Sequence, residues 1–323
     1  MIDSTTERTY TIHIPPNLKE AKYFVIKKHR GMTLNEDGRE LKVRGSPMYP
    51  CSAYRTDMTT HGIEELSWHW HEDVEVIFVT YGIVIINING EHCSLREGEG
   101  VFINSNSLHS ARAASESGCI LHSLVFAAGL LSSTTESVFE QRYMRPLLKC
   151  QVLPFVPFLC GKEWEIQASK CIRDAYDVHK EEQYGYELIV REKLSHMLYL
   201  IVTNKQSVIE QQQPSKDKDV HRVKLMLDYL HNNYADNVSL QQLSAIAFIS
   251  ERECLRCFKK TLGVSPMQYL LKYRVSMATQ LLSDTSLTVI EICTQTGFGN
   301  SSHFARAFRH YMQCSPTDYR KRY

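Results

Sequence analysis

The sequence predicts a multidomain α+β protein: a small β-barrel or sandwich with a helical segment, then an all-α region. Three observations carry this. Strand-like, β-branched runs fill residues 40 to 130, helical spacing takes over from about 135, and the last third repeats itself at a shift of 50 residues. The chain has 323 residues, 43% hydrophobic and 23% charged. It therefore buries a sizeable core, and at about 100 to 200 residues per domain it holds two or three domains.

The strand region centres on "VIFVTYGIVIINING", which is rich in β-branched residues and closes on the turn dipeptide Asn89-Gly90. "REGEG" then punctuates the next apolar run, "VFI". Further on, Trp164, Ala168, Cys171, Ala175 and Val178 recur at helical spacing, as do Val190, Leu194, Met197, Leu198 and Ile201, so two amphipathic helices are expected. The stretch 206–218, "QSVIEQQQPSKDK", reads as a linker. The expected organisation is an N-terminal arm and barrel over 1–134, a helical segment over 135–205, the linker, and an all-helical domain over 219–323.

The formal charge of +1 hides a division. From Asp219 onward there are 13 Lys and Arg against 8 Asp and Glu, net +5, leaving 24 against 28, net −4, for the rest. A basic excess confined to one domain points to a polyanionic partner for that domain. The ten cysteines follow no framework spacing in a chain too large to need staples, so reduced thiols are expected. Cys254 and Cys257 form a lone C-x-x-C without a second ligand pair nearby and read as helix core. No signal-like N-terminus or long apolar run stands out, so a soluble cytoplasmic protein without membrane contact is expected.

In the repeated region the shift pairs Arg256 with Arg306, Phe258 with Phe308, Lys259 with Arg309, Ser265-Pro266 with Ser315-Pro316, and Tyr269 with Tyr319. In the first copy Ser239 is placed to cap a helix that carries Leu240, Leu243 and Ile246/Ala247. Ser250 is placed to cap a second helix with Cys254, Cys257 and Phe258 facing inward. In the second copy Leu287, Ile290 and Cys293 form the first face, 297–300 the turn, and Phe304, Ala307 and Phe308 the second face. Two helices separated by so few residues make a helix-turn-helix.

The outward residues of each second helix suit a major groove: Ser250, Glu251, Arg252, Glu253 and Arg256 in one copy, Asn300, Ser301, Ser302, His303 and Arg306 in the other. Lys259, Lys260 and Arg309 suit phosphates. The stretches "ISERECLRCFKKTLGVSPMQYLLKYRVSMATQLL" and "GFGNSSHFARAFRHYMQCSPTDYR" resemble the double helix-turn-helix domain of the AraC/XylS family of transcription regulators. The resemblance implies a long helix over about 266–283 joining the two motifs, double-stranded promoter DNA and RNA polymerase as partners, and a homodimer formed through the 164–202 helices. Cys254 and Cys293 depart from the family's usual leucine and alanine. For Arg256 the resemblance leaves two roles open, a DNA contact or a salt bridge within the domain.

Upstream, "HWHEDVEVIFVTYG" fits H-x-H-x(3)-E-x(6)-G through His69, His71, Glu75 and Gly82, and "GVFINSNSLHS" adds His109. Both resemble the motifs of a cupin-like barrel over roughly 55–130. Even spacing points His69, His71 and Glu75 to one face of a strand, and imidazoles with a carboxylate suit Zn, Mn, Fe or Ni. The same four residues suit polar contacts to a small-molecule effector, or a hydrogen-bonded barrel wall. Trp68 and Trp70 have the opposite parity and point to the other face. A sugar is the effector class that the family resemblance implies. The function expected is a sequence-specific, effector-sensing DNA-binding regulator and not an enzyme. The rivals are a metal-dependent cupin enzyme and a DNA-binding regulator without a small-molecule effector.

Overall fold

The computed structural model describes residues 45–322 apart from 47, 60–64, 116 and 212–217. The expected N-terminal arm and residues 212–217 of the expected linker lie outside the described residues. Among the described residues there are eight strands, seven before the first helix and one after α2: β1 (Cys51–Asp57), β2 (Glu65–His69), β3 (Val74–Ile88), β4 (Glu91–Arg96), β5 (Gly100–Ile103), β6 (His109–Ala113), β7 (Cys119–Phe126) and β8 (Phe155–Phe158). All their pairings are antiparallel.

β3 organises them. Its first half pairs with β5 and β7 and its second half with β4 and β6, so one strand runs through two layers, β1-β7-β3-β5-β8 and β2-β6-β3-β4. The bend lies at a register shift between Val79 and Tyr81, beside Gly82 at φ +76°. A Cβ at Gly82 would sit 2.4 Å from the Gly118 carbonyl oxygen, so the motif's glycine serves the bend and not the ligand set. The Asn89-Gly90 turn, both residues at positive φ, closes the β3–β4 hairpin as the sequence predicts. Between the layers lie Ile77, Val79, Val84, Ile86, Val101, Ile103 and Leu121.

The opposite face of the first layer presents Val74, Val76, Phe78, Leu124 and Phe126 to helices. After α1 (Gly129–Ser132), a π-helical turn over Glu140–Met144 runs into α2 (Arg145–Lys149). β8 follows, in a segment whose sequence reads as helical; its Val156 and Phe158 alternate into the core while it pairs with β5. α3 (Glu163–Glu181) and α4 (Tyr186–Asn204) bury the predicted stripes, Ala168, Cys171 and Ala175 on one and Val190, Leu194, Met197 and Ile201 on the other. α3 lies on the sheet, and α4 packs against α3. The start of the expected linker is α5 (Gln206–Glu210), because Ile209 finds a place in the same core.

Seven helices complete the chain: α6 (Lys218–Asn232), α7 (Leu240–Ile246), α8 (Glu251–Leu262), α9 (Pro266–Asp284), α10 (Val289–Gln295), α11 (Ser301–Met312) and α12 (Pro316–Arg322). Ser239 and Ser250 cap α7 and α8 as expected, Ser265 caps α9, and Thr288 and Asn300 cap α10 and α11. α9 packs Tyr269 and Leu270 into the core of α6–α8 and Val275, Ala278 and Leu282 into the core of α10–α12. Cys254 and Cys257 are fully buried and form no disulfide; the Cys257 thiol donates to the Cys254 carbonyl at 3.5 Å.

Two differences from the sequence reading have simple causes. Ile290 is 72% exposed, because the helix begins after Thr288 and therefore buries Ile292, Cys293 and Thr296 on the i+3/i+4 face. The repeat also slips by one residue at its turns: Phe248 at φ 54° stands where Gly297 stands at φ 73° in the second copy. Backbone bonds from Ile249 to Ser244 and from Phe298 to Cys293 fix that correspondence. No described helix is long and apolar enough to cross a membrane.

Gly82→Ala adds a Cβ in contact with backbone at a left-handed residue, so we expect a loss of about 1–3 kcal/mol. A lower urea midpoint for the variant checks it; an unchanged midpoint means that the bend relaxes.

Candidate functional site

His69 closes β2, His71 follows it, Glu75 opens β3 and His109 opens β6. Their ligand-capable atoms lie within 4.8 Å of one another, and all four side chains are buried. Pairing supplies the convergence: His69 stands opposite His109 in the β2–β6 ladder, with ring centroids 4.1 Å apart. All four residues singled out from the sequence therefore meet at one point.

Each imidazole is fixed by a short local bond. His69 Nδ1 donates to the Ser67 carbonyl at 2.8 Å, His71 Nδ1 to the Asp73 carbonyl at 2.9 Å, and His109 Nδ1 to the Ser107 carbonyl at 2.8 Å. A carbonyl only accepts, so a neutral ring holding its proton on Nδ1 offers a bare lone pair at Nε2. His71 and His109 aim that Nε2 at the same atom, Glu75 Oε2, at 3.2 and 3.1 Å. Burial alone would raise the Glu75 carboxyl; when His109 and His71 also carry a proton on Nε2, hydrogen bonding and charge from them hold it well below its ordinary value. Burial, reinforced by repulsion from His109 and His71, pushes His69 well below the ordinary imidazole range. The centre thus holds three oriented nitrogens and a carboxylate.

Trp68 and Trp70 face away from this centre, as their parity predicts. Trp70 is buried, and together with Leu108 it joins the core of α6–α8 beside Val220, Val223 and Leu227. Lys224 of α6 reaches back, donating to the Asn106 carbonyl at 2.5 Å with its ammonium 5.4 Å from the Trp70 ring centroid. Burial pushes the Lys224 amine down to about 8. Lys272 of α9 pairs with Glu65 of β2 at 2.6 Å. Sequence patterning does not single out Asn106 or Lys224, because their partners lie more than a hundred residues away; Trp70's off-parity placement was the available signal.

On α8, Glu251, Arg252, Arg256 and Lys259 are exposed and Ser250 caps the helix. Arg256 is the exception to a free basic face. Its guanidinium donates to Glu253 at 2.7 and 2.8 Å and to Asp219 of α6 at 2.8 Å, which is the salt-bridge alternative for this residue. Lys260 shares Asp219 at 3.0 Å. Burial would raise Asp219, but these two cations hold its carboxyl low. On α11, Asn300 caps the helix by accepting from the Ser302 and His303 amides at 2.7 and 3.3 Å. Ser301, Ser302, His303, Arg306 and Arg309 are exposed, and Ser302, Arg306 and Arg309 border one shallow depression.

Two family models match the chain: an AraC-like ligand binding domain over residues 57–194 and a helix-turn-helix domain over 243–322. The chain belongs to the AraC family. It is an HTH-type, DNA-binding transcription regulator with a ligand-binding domain, and the relatives it matches are named transcriptional regulators. An uncharacterized HTH-type transcriptional regulator, YdeC of Bacillus subtilis, is 26% identical over 294 residues, 90% of this chain and 99% of that protein. The HTH-type transcriptional activator RhaS of Citrobacter koseri is 24% identical over 264 residues, covering 78% and 87% of the two chains. Among solved structures, ToxT from Vibrio cholerae covers 84% of this chain and 97% of its own at 12% identity and a TM-score of 0.44.

In this AraC-family chain Asp219 withdraws two cations from the basic face. Asp219→Ala should loosen both cations toward phosphate, with Arg256 keeping its bonds to Glu253, and steepen the log–log salt dependence of non-specific DNA binding by about 1 unit. An unchanged slope in salt titrations means that the two cations stay away from DNA.

Proposed function

We propose that this regulator reads a promoter with two helix-turn-helix units, α7–α8 and α10–α11, and that its cupin-like sensor holds a divalent metal ion on His69, His71, Glu75 and His109. The observation that carries the metal reading is the use of every imidazole Nδ1 on a backbone carbonyl. Carbonyl-bound Nδ1 atoms are the outer-shell arrangement that orients metal-ligating histidines. Without a cation, two Nε2 lone pairs face a carboxylate oxygen inside a buried site, and protons must be drawn in to separate them. A divalent ion among the same atoms satisfies all of them at once, and three imidazoles with one carboxylate suit Zn, Mn, Fe or Ni.

A sugar effector at the same four residues has the family resemblance behind it. The aromatic faces that such a ligand calls for lie elsewhere, since Trp70 packs on α6. The metal reading therefore leads. For DNA, what supports the reading is the exposed Ser301, Ser302, His303, Arg306 and Arg309 on α11, with Glu251, Arg252 and Lys259 on α8. A homodimer through α4 is supported by its exposed Leu188 and Tyr199, at 73% and 60%. Action at a promoter through RNA polymerase in the cytoplasm completes the reading.

Protein purified without an affinity tag or chelator should carry near-stoichiometric metal by mass spectrometry, and His71→Ala should lose at least about tenfold of it. Metal-free wild-type protein that takes up none on addition sinks the metal reading. Arg306→Ala should weaken specific-site binding by about 1–3 kcal/mol and leave random DNA less affected. Equal losses on both make Arg306 a phosphate contact.

A further inference from the structure

The segments that carry the proposed ligands also carry the contact with the DNA-binding helices. Trp70 lies between His69 and His71, and Leu108 precedes His109. In each case the histidine turns into the sensor and its neighbour turns out, so that Trp70 and Leu108 are 7% and 0% exposed within the α6–α8 core. The segments are tied into one plate. The Asn106 amide donates to the His71 carbonyl at 2.8 Å, and the Ser105 hydroxyl to the Glu72 carbonyl at 2.6 Å. Asn89 accepts from the Leu108 amide through its side chain at 2.9 Å and donates its own amide to the Leu108 carbonyl at 2.8 Å.

Three helices meet this plate. α6 brings Val220, Val223 and Lys224. The end of α8 lies against the β3–β4 turn, where a Cβ on Gly90 would stand 3.3 Å from the Lys260 carbonyl oxygen and Thr261 Cα. α9 adds Lys272 on Glu65. α6 in turn carries Asp219, which holds Arg256 and Lys260 of α8. A continuous set of contacts therefore runs from the four-residue centre to two cations of the first DNA-facing helix.

We propose that metal occupancy of the centre controls the docking of the DNA-binding helices on the sensor, with Trp70 and Leu108 as the coupling residues and the loaded centre favouring the docked arrangement. The inference rests on the metal reading above. An ion bound by four side chains from three chain segments removes the freedom of those segments to shift against one another. Because strand parity makes Trp70 move with both flanking histidines, the ion fixes the surface that α6 grips. Linkage makes the effect reciprocal: the ion favours docking only by as much as docking strengthens the ion's binding.

The test uses the full chain, freed of metal and titrated with Zn(II), Mn(II), Fe(II) or Ni(II) alone. Two quantities are read: metal affinity against a competing chelator, and amide hydrogen exchange across α6. Wild type should gain at least about fivefold protection in α6 on loading, within the range of ordinary coupling energies. Trp70→Ala should still bind metal, more weakly, and lose the protection gain. Lys224→Met removes only the surface clasp and reads the same coupling if Trp70→Ala does not fold. Stoichiometric metal binding with unchanged α6 exchange overturns the coupling and leaves the metal reading standing. No binding of any of the four ions overturns both. Full protection gain and wild-type affinity in Lys224→Met, with the same result in Trp70→Ala where it folds, likewise overturns the coupling.

Discussion

Alternation of side chains along a strand is the constraint on which the rest of this structure depends. With His69 and His71 turned inward, Trp70 has only the outer face available, and with His109 turned inward Leu108 has the same restriction. The sensor therefore has no way to assemble its buried centre without presenting an aromatic and an aliphatic side chain on the opposite surface. The bond from each Nδ1 to a carbonyl two residues away completes the constraint, because it fixes ring orientation to the local backbone. A shift of that backbone moves an imidazole on one side and an apolar contact on the other.

The helical region solves a different problem, that of holding two small units in register. Neither α7–α8 nor α10–α11 has much core of its own, and α9 lends a stripe to each. The caps then fix where every short helix begins, and the starting residue decides which side chains face outward. The two units are not equivalent electrostatically. α8 presents its arginine in a network with Glu253 and Asp219, whereas α11 presents Arg306 and Arg309 beside a shallow depression. Non-specific attraction should fall more heavily on the second unit, since a cation already partnered gives up part of its interaction when it moves to phosphate.

Much of this was legible in the sequence because periodicity and turn chemistry are local. The two stripes of α3 and α4, the Asn89-Gly90 hairpin, the Ser239 and Ser250 caps and the shared face of His69, His71 and Glu75 follow from spacings of a few residues, whereas His109, 34 residues beyond Glu75, was linked to them by the cupin-like resemblance. Legibility ends where a residue's fate is set by a distant partner. β8 is a strand because β5 has a free edge, Ile209 is helical because a core lies within reach, and Ile290 is exposed because Thr288 sets the helix start. Arg256 had two readings in the sequence, and the partner that makes the salt-bridge reading available, Asp219, stands 37 residues earlier. Lys224 had no signal of its own, only the parity of its partner Trp70.

The four-residue centre is not required by the fold around it. The neighbouring interior of the barrel is filled by Ile77, Val79, Val84, Ile86 and Leu121, which pack without any polar obligation. Burying imidazoles and a carboxylate costs free energy that their mutual contacts at best offset, and well-packed apolar side chains of similar volume stabilise such a position as well or better. A wall role would thus be served more simply by apolar residues. The same argument bears on placement. A ligand site deep in the apolar interior would touch only the barrel, whereas this one stands where β2, the start of β3 and β6 meet, one residue in each direction from the surface that grips α6. Costly polar groups placed at an end of the sensor that contacts the DNA-binding helices make physical sense if what they bind is to be felt there.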